Sequence, residues 1–152
     1  MTAAQADPAT EKAELRIDHP SVTDGAALWR IARDSKVLDL NSSYSYLLWC
    51  RDFAATSVVA RDGRGEAVGF VTGYVRPERP RTLLVWQVAV DEAHRGRGLA
   101  AALLDGLLAR SAAEHRVTAL ETTVTPGNTA SERLFTSFAE RHGADVEREV
   151  LF

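Results

Sequence analysis

The chain has 152 residues, 45% of them hydrophobic and 26% charged, with a formal net charge of −3. That length suits one domain burying roughly two-thirds of the surface its unfolded chain exposes, and a balance with no lysine- or arginine-rich block argues against nucleic acid as the main ligand. The lone Cys50 excludes an internal disulfide and fits a reducing, cytoplasmic setting, while no ~20-residue apolar run offers a membrane span and no apolar core near the N-terminus offers a secretory signal.

Residues 1–13 read as a flexible tail and 14–152 as one domain. A short strand is expected at Glu14–Asp18, broken by Pro20. Thr23 or Asp24 then caps a helix whose stripe is Ala27, Leu28 and Ile31. A second helix is expected over Ser42–Phe53, with Tyr44, Leu47 and Leu48 on one face at i, i+3 and i+4. Two β-rich runs flank Asp62-Gly63-Arg64-Gly65, a hairpin signal. Pro77 and Pro80 mark a loop, and Thr82–Val90, apolar at nearly every position, predicts a central strand covered on both faces.

The next helix runs from about Leu99 to Ser111, with Leu99, Leu103 and Leu107 in one stripe. Val117–Thr125 predicts a strand. A helix follows with Leu134, Phe135 and Phe138 on its apolar side, closed by Gly143. The segment from Asp145 to Phe152 alternates like a last strand. The order β-α-α-β-β-β-α-β-α-β is α+β with a mixed sheet.

Between the apolar strand and its helix sits Arg95-Gly96-Arg97-Gly98. Amide groups at a helix start have no partner inside the helix, and the dipole adds partial positive charge there. Glycines let an anion approach the main chain, and arginines add charge. Neither common phosphate loop is present: no lysine follows as in a Walker loop, and Ala101 stands where the dinucleotide fingerprint has its third glycine. Taken alone, the turn could also be a solvated charged turn.

With its strand and helix, the turn resembles the coenzyme A pyrophosphate site of the GNAT N-acetyltransferase superfamily. Arg95, Gly98 and Ala100 meet the pattern Gln/Arg-x-x-Gly-x-Gly/Ala, and the element order matches from Leu15 to Phe152. The resemblance implies acetyl-CoA as cosubstrate and a mostly antiparallel sheet flanked by helices. It implies cofactor contacts from Val88, Val90, Arg95, Gly96, Arg97, Gly98, Leu99, Ala100 and Asn128. It further implies that Val88 lies where an amide stabilises the oxyanion, an effect of about 3 kcal/mol on the barrier. Core packing is the other role open to Val88 and Val90.

Three longer runs, Leu38–Leu48, Val85–Val90 and Leu120–Ser131, are similar to the diaminobutyrate acetyltransferases of ectoine synthesis. That similarity implies acetyl transfer to the γ-amine of L-2,4-diaminobutyrate, a homodimer and a role in osmotic stress. It implies that Asp39 contacts the substrate; as a residue, Asp39 could also cap the second helix, but Asn41 and Ser42 compete for that task. Tyr44 offers an aromatic wall and a hydroxyl able to bond the substrate or return a proton to the leaving thiolate, or it packs in the core. Trp86 is placed to stack over the diamine by cation–π attraction or to fill the core. Thr125 and Asn128 lie where a strand meets the next helix, with Asn128 also an N-cap candidate.

His19, His94, His115 and His142 are dispersed without metal-ligand spacing, so no metal is expected and all four read as surface residues. Cys50 reads as a small buried hydrophobe. The chain departs from the superfamily twice. Phe135 stands where many members carry a proton-donating tyrosine, leaving Tyr44 or water for that step. The superfamily ends in a β-hairpin, whereas Phe152 follows only its first strand, so the last strand is expected to be missing through truncation or supplied by a partner chain. Two other readings stay open: another small-amine or peptide N-acetyltransferase, and a non-catalytic acyl-CoA-binding module.

Overall fold

The computed structural model describes residues 15–151, so the tail expected over 1–13 lies outside them. Among the described residues one five-stranded sheet has the order β1 (Arg16–Asp18), β2 (Val58–Arg61), β3 (Ala67–Arg76), β4 (Arg79–Val90) and β5 (Ala119–Thr122). Neighbours β1 to β4 are antiparallel, and β5 runs parallel to β4. The helices are α1 (Gly25–Ser35), α2 (Ser43–Asp52), α3 (Leu99–His115) and α4 (Thr129–Arg141). This is the mixed, mostly antiparallel α+β fold that the element order predicts.

Each helix buries the stripe its sequence offers. Leu28, Ile31 and Ala32 of α1 join Tyr46 and Cys50 of α2 against Val59, Phe70 and Ala89 on one face of the sheet. Leu103, Leu104 and Leu107 of α3 meet Val58, Ala60, Val71 and Leu83 on the other, with Phe138 of α4 alongside. The β2–β3 hairpin closes as expected: Asp62 Oδ1 accepts from the amides of Arg64 and Glu66 at 2.9 and 3.0 Å.

One irregularity governs β4. Thr72 opposes Gln87 while Gly73 opposes Val85, so Trp86 is an extra residue, a β-bulge. Its effect is visible in the side chains. Leu83 and Val85 before the bulge, and Val88 and Val90 after it, all pack toward α3. Trp86 and Ala89 pack toward α1 and α2. Gly73 makes the close approach possible, since a Cβ there would lie 2.6 Å from the Leu84 carbonyl oxygen.

The structure corrects several expectations. β4 is not buried on both faces: from Thr82 to Val90 buried residues alternate with half-buried ones, and Arg79–Arg81 are exposed. It begins at Arg79, and Pro80 sits within it where the β3 register is irregular and no amide is required. β5 ends at Thr122, short of Thr125. The face of α2 is rotated from the Tyr44/Leu47/Leu48 expectation. Tyr46 and Cys50, one turn apart, are buried, while Tyr44 is 64% exposed. Apolar residues lie all round this helix, so periodicity does not single out one face. The final strand is absent: residues 144–151 are exposed and without regular structure, because alternation supplies side chains but no strand edge among the described residues pairs with the backbone.

An ion-pair clasp holds the sheet's first edge to the turn before α1. The Arg61 guanidinium donates to both Asp24 carboxylate oxygens at 2.7 and 2.8 Å and to Asp18 Oδ2 at 3.4 Å. Burial alone would raise the Asp24 pKa, but Arg61 and the Ser21 amide outweigh it and hold it below the ordinary 3.8. Asp18 is likewise lowered, with Arg61 and the His19 amide outweighing desolvation. A depressed carboxylate contributes stability that is complete above 3.8 and is lost as pH falls below it. Thermal unfolding at a series of pH values should therefore show an acid limb beginning near 4. In Asp24→Ala that limb should flatten, and stability at neutral pH should fall by about 3–5 kcal/mol because Arg61 is left buried without its main partner.

Candidate active site

The pairing of β4 with β5 runs from Thr82↔Ala119 to Val85↔Thr122 and stops. Beyond it, Trp86–Val90 continue with no strand on that side among the described residues. The Asp91 amide donates to the Val68 carbonyl at 2.8 Å, which fixes the alternation of the ladder. Gln87 and Ala89 therefore bond toward β3, and the main-chain groups of Val88 and Val90 point into the opening. Arg95 Nε donates to the Val90 carbonyl oxygen at 3.1 Å, leaving the two amides as donors there.

The glycine turn stands at the end of the same strand. Gly96 and Gly98 hold φ of +76° and +72°. A Cβ at either position would meet nothing within 4 Å, so both face open space. Gly98 is the N-cap of α3, with no side-chain cap and no acidic residue in the first turn. The amides of Leu99, Ala100 and Ala101 are thus left for an anion, with exposed Arg95 and Arg97 beside them. A cavity of about 200 Å³ reaches Arg97, Gly98 and Leu99 from the β1 side, walled by Leu15, Ile17 and His94. Across the opening, the Asn128 amide donates to the Thr125 carbonyl at 3.0 Å in a turn through Pro126 and Gly127. Asn128 caps α4 by accepting from the Ser131 amide at 3.2 Å, which leaves its Nδ2 free to donate.

The acceptor side is built on the bulge. Trp86 stacks on Trp49 of α2 at 4.6 Å between centroids and 6° between planes. One face of its indole is therefore occupied, and Tyr46 lies 6.1 Å away at a tilt of 38°. Gln87, 5% exposed, accepts from Tyr46 Oη at 2.9 Å and donates from Nε2 to the Asp39 carbonyl at 2.9 Å. The Asp39 side chain is exposed and does not cap α2; Ser42 does that by accepting from the Ser45 amide. Tyr44 stands in solvent on the outer side of α2, not in the core.

Thus Trp86 and the Asp39 loop come together through Gln87, while Val88, Val90 and the glycine turn form a second, contiguous group. Thr125 is exposed at the rim of the β5–α4 loop. Gln87, Tyr46 and Trp49 were not among the expected site residues. A signal existed for one of them: Gln87 is the only polar residue in the run from Leu83 to Val90. Three histidines also differ from the surface expectation, since His19, His94 and His115 are half-buried. Burial pushes the Cys50 thiol up to about 11, consistent with an inert core residue. Among the described residues, no three His, Cys, Asp or Glu side chains gather to hold a metal, and no helix is long and apolar enough to cross a membrane.

The model of the acetyltransferase (GNAT) family matches residues 25–139, which include the opening and the glycine turn. An L-2,4-diaminobutyric acid acetyltransferase of Streptomyces avermitilis is 72% identical, over all of this chain and 87% of its own. That of Streptomyces coelicolor is 73% identical, over all of this chain and 85% of its own.

The chain belongs to the diaminobutyric acid acetyltransferases of the GNAT family.

Among solved structures, the diaminobutyrate acetyltransferase of Paenibacillus lautus, in complex with L-2,4-diaminobutyric acid and coenzyme A, superposes with a TM-score of 0.79. It is 42% identical, and the match covers 86% of this chain and 77% of that one. In a member of this family the bare helix start and open strand edge fit acetyl-CoA: amide donors for the pyrophosphate and for the acyl arm. Gly98→Ala tests that fit. A non-glycine residue in the left-handed region costs about 1–2 kcal/mol, and its Cβ would enter the open mouth of the turn. Titration calorimetry should show coenzyme A binding weakened on the order of tenfold, with an unfolding midpoint lowered by only a few degrees.

Proposed function

We propose that this chain transfers the acetyl group of acetyl-CoA to the γ-amine of L-2,4-diaminobutyrate, giving the Nγ-acetyl product used in ectoine synthesis. The observation that carries this reading is the joining of the two halves of the site at one bulge: main-chain donors face the opening, and the Asp39 loop is bonded to the neighbouring residue. The substrate assignment draws on the 72% and 73% identity to the Streptomyces enzymes.

In this reading the glycine turn and α3 start hold the pyrophosphate, with Asn128 Nδ2 as a further donor. The Val88 amide donates to the developing oxyanion. The neutral γ-nitrogen forms the new C–N bond, the C–S bond breaks with its electron pair leaving on sulfur, and nitrogen loses one proton to water. An aliphatic amine has a pKa near ~10 in water, so it must be deprotonated before attack. The α-amine is the less basic and loses its proton more readily. Selectivity for the γ-nitrogen therefore rests on placement, with Asp39 anchoring the α-ammonium and the free face of Trp86 walling the chain. Thr125 lines the rim. Phe135 is half-buried against the core and has no proton to give; the thiolate, of pKa near ~8–9, leaves without a strong acid. Tyr44, exposed at the start of α2, or water is the proposed proton donor to the thiolate.

We further infer that the molecule is a homodimer. Val37, Leu40, Tyr44 and Leu47 are all exposed apolar or aromatic side chains in the α1–α2 loop and the start of α2, and a second copy would shield them. Light scattering on purified protein should give about twice the chain mass of 16.6 kDa.

The function is tested by acetyl-CoA consumption with L-2,4-diaminobutyrate, ornithine, lysine, spermidine or no acceptor, with product position read by NMR. Diaminobutyrate-selective turnover at the γ-nitrogen is expected. Asp39→Asn should raise the KM for diaminobutyrate on the order of tenfold, as a lost charge-assisted bond would. A broad acceptor profile would point to a general small-amine acetyltransferase instead.

A further inference from the structure

The buried carboxamide of Gln87 lies outside the contacts expected of this site, yet it joins three elements. It sits on β4 between Trp86 and Val88, 5% exposed. Its Oε1 accepts from Tyr46 Oη of α2, and its Nε2 donates to the Asp39 main-chain carbonyl, both at 2.9 Å. Tyr46 is fully buried, and its hydroxyl also meets Asn41 in the same loop. The phenol is pushed up by burial, with the Asn41 amide and Gln87 opposing, so it remains a neutral donor.

These partners determine how the carboxamide is oriented. The Tyr46 hydroxyl has a single proton and gives it to Gln87 Oε1 at 2.9 Å. The NH2 end of Gln87 is then the end that meets Asp39. Among the described residues no other side chain donates to the Asp39 carbonyl as closely; Asn41 Nδ2 lies at 3.4 Å. Asp39 is otherwise in a loop with an exposed side chain, and such a segment is mobile unless bonded down. Gln87 also occupies the position across the bulge from Thr72, where the β3 ladder holds its backbone.

We propose that Gln87 is a positioning residue for the acceptor: its carboxamide, clamped by Tyr46, holds the Asp39 loop at a fixed distance from the Val88 amide and so sets which diamine length is acetylated. This rests on the diaminobutyrate reading above. Gln87 touches neither substrate nor reacting atoms and acts through Asp39. A loop held at one distance fits the three-carbon spacing between the amines of diaminobutyrate, and a released loop fits the longer spacing of ornithine as well.

The test compares wild type with Gln87→Met, which keeps length but removes both bonds, and Tyr46→Phe, which removes the clamp alone. Ile31→Val, a buried core change on the same face, is the control for lost stability. The readouts are KM for diaminobutyrate, KM for acetyl-CoA, the kcat/KM ratio of diaminobutyrate to ornithine, and amide exchange at Leu40–Ser42. In Gln87→Met the diaminobutyrate KM should rise about tenfold while the acetyl-CoA KM stays within twofold. The preference over ornithine should fall at least fivefold, and loop exchange should speed up at least tenfold. Tyr46→Phe should move the same quantities less, and Ile31→Val should move none of them. Equal movement of both KM values, an unchanged preference or unchanged loop exchange would overturn the role of Gln87 while leaving the enzyme's function intact. Wild type without diaminobutyrate selectivity would instead overturn the functional reading, and this role with it.

Discussion

The site depends on one inserted residue. β4 packs its side chains into both cores and presents main-chain donors on an open edge, and the bulge decides which residues do each. Trp86 opposes no residue of β3. The pleat slips by one residue there, so Leu83, Val85, Val88 and Val90 all meet α3, while Trp86, Gln87 and Ala89 serve the other face. A one-residue slip normally turns every later side chain to the wrong face. Here the sequence after the bulge is written in the shifted phase, which is why both cores stay filled. The tight strand contact this needs is permitted by Gly73, where any side chain would strike the Leu84 carbonyl.

The opening follows from the same strand. β5 pairs for four residues and then leaves, and β4 continues alone toward the glycine turn. Unpaired strand edges tend to recruit other strands. This one is short and ends in charge: Arg95 caps the Val90 carbonyl, and the turn beyond carries a second arginine. What remains are two amides, the Val88 carbonyl and a helix start, donors in the majority and facing one region. Such a surface favours a ligand rich in acceptors, which describes both a thioester carbonyl and a pyrophosphate.

The fold was largely legible because its elements are marked by strong local signals. Asp62-Gly63 closed the hairpin, Gly98 began α3, and Gly143 ended α4. The errors arose where tertiary partners decide. Alternation from Asp145 onward looked like a strand, but a strand requires an edge, and sequence does not show edges. Apolar residues on every side of α2 hid its buried face, so Tyr46 went unnoticed and Tyr44 was credited with possible core packing. The unbroken apolar run of β4 concealed the bulge, since two residues on one face leave no trace in a stretch that is apolar in either phase. Within the site, the glycine turn and the strand amides could be reached from pattern. The contact of Gln87 with Asp39 spans 48 positions and could not.

Selectivity is the harder problem for this chemistry, because intrinsic basicity favours the wrong nitrogen. Binding the diamine tightly does not correct this, since both amines belong to the same molecule. What distinguishes them is the distance from an anchor to the reacting carbonyl. In the proposed reading the anchor loop is bonded to the Gln87 side chain and the oxyanion meets the Val88 amide. Gln87 and Val88 are successive residues of a strand held by β3, joined by one planar peptide. Tying the Asp39 loop to the residue beside the oxyanion donor refers the anchor's position to that strand. Two independent loops would fix that distance far less sharply, and a γ-selective enzyme has little tolerance for such slack.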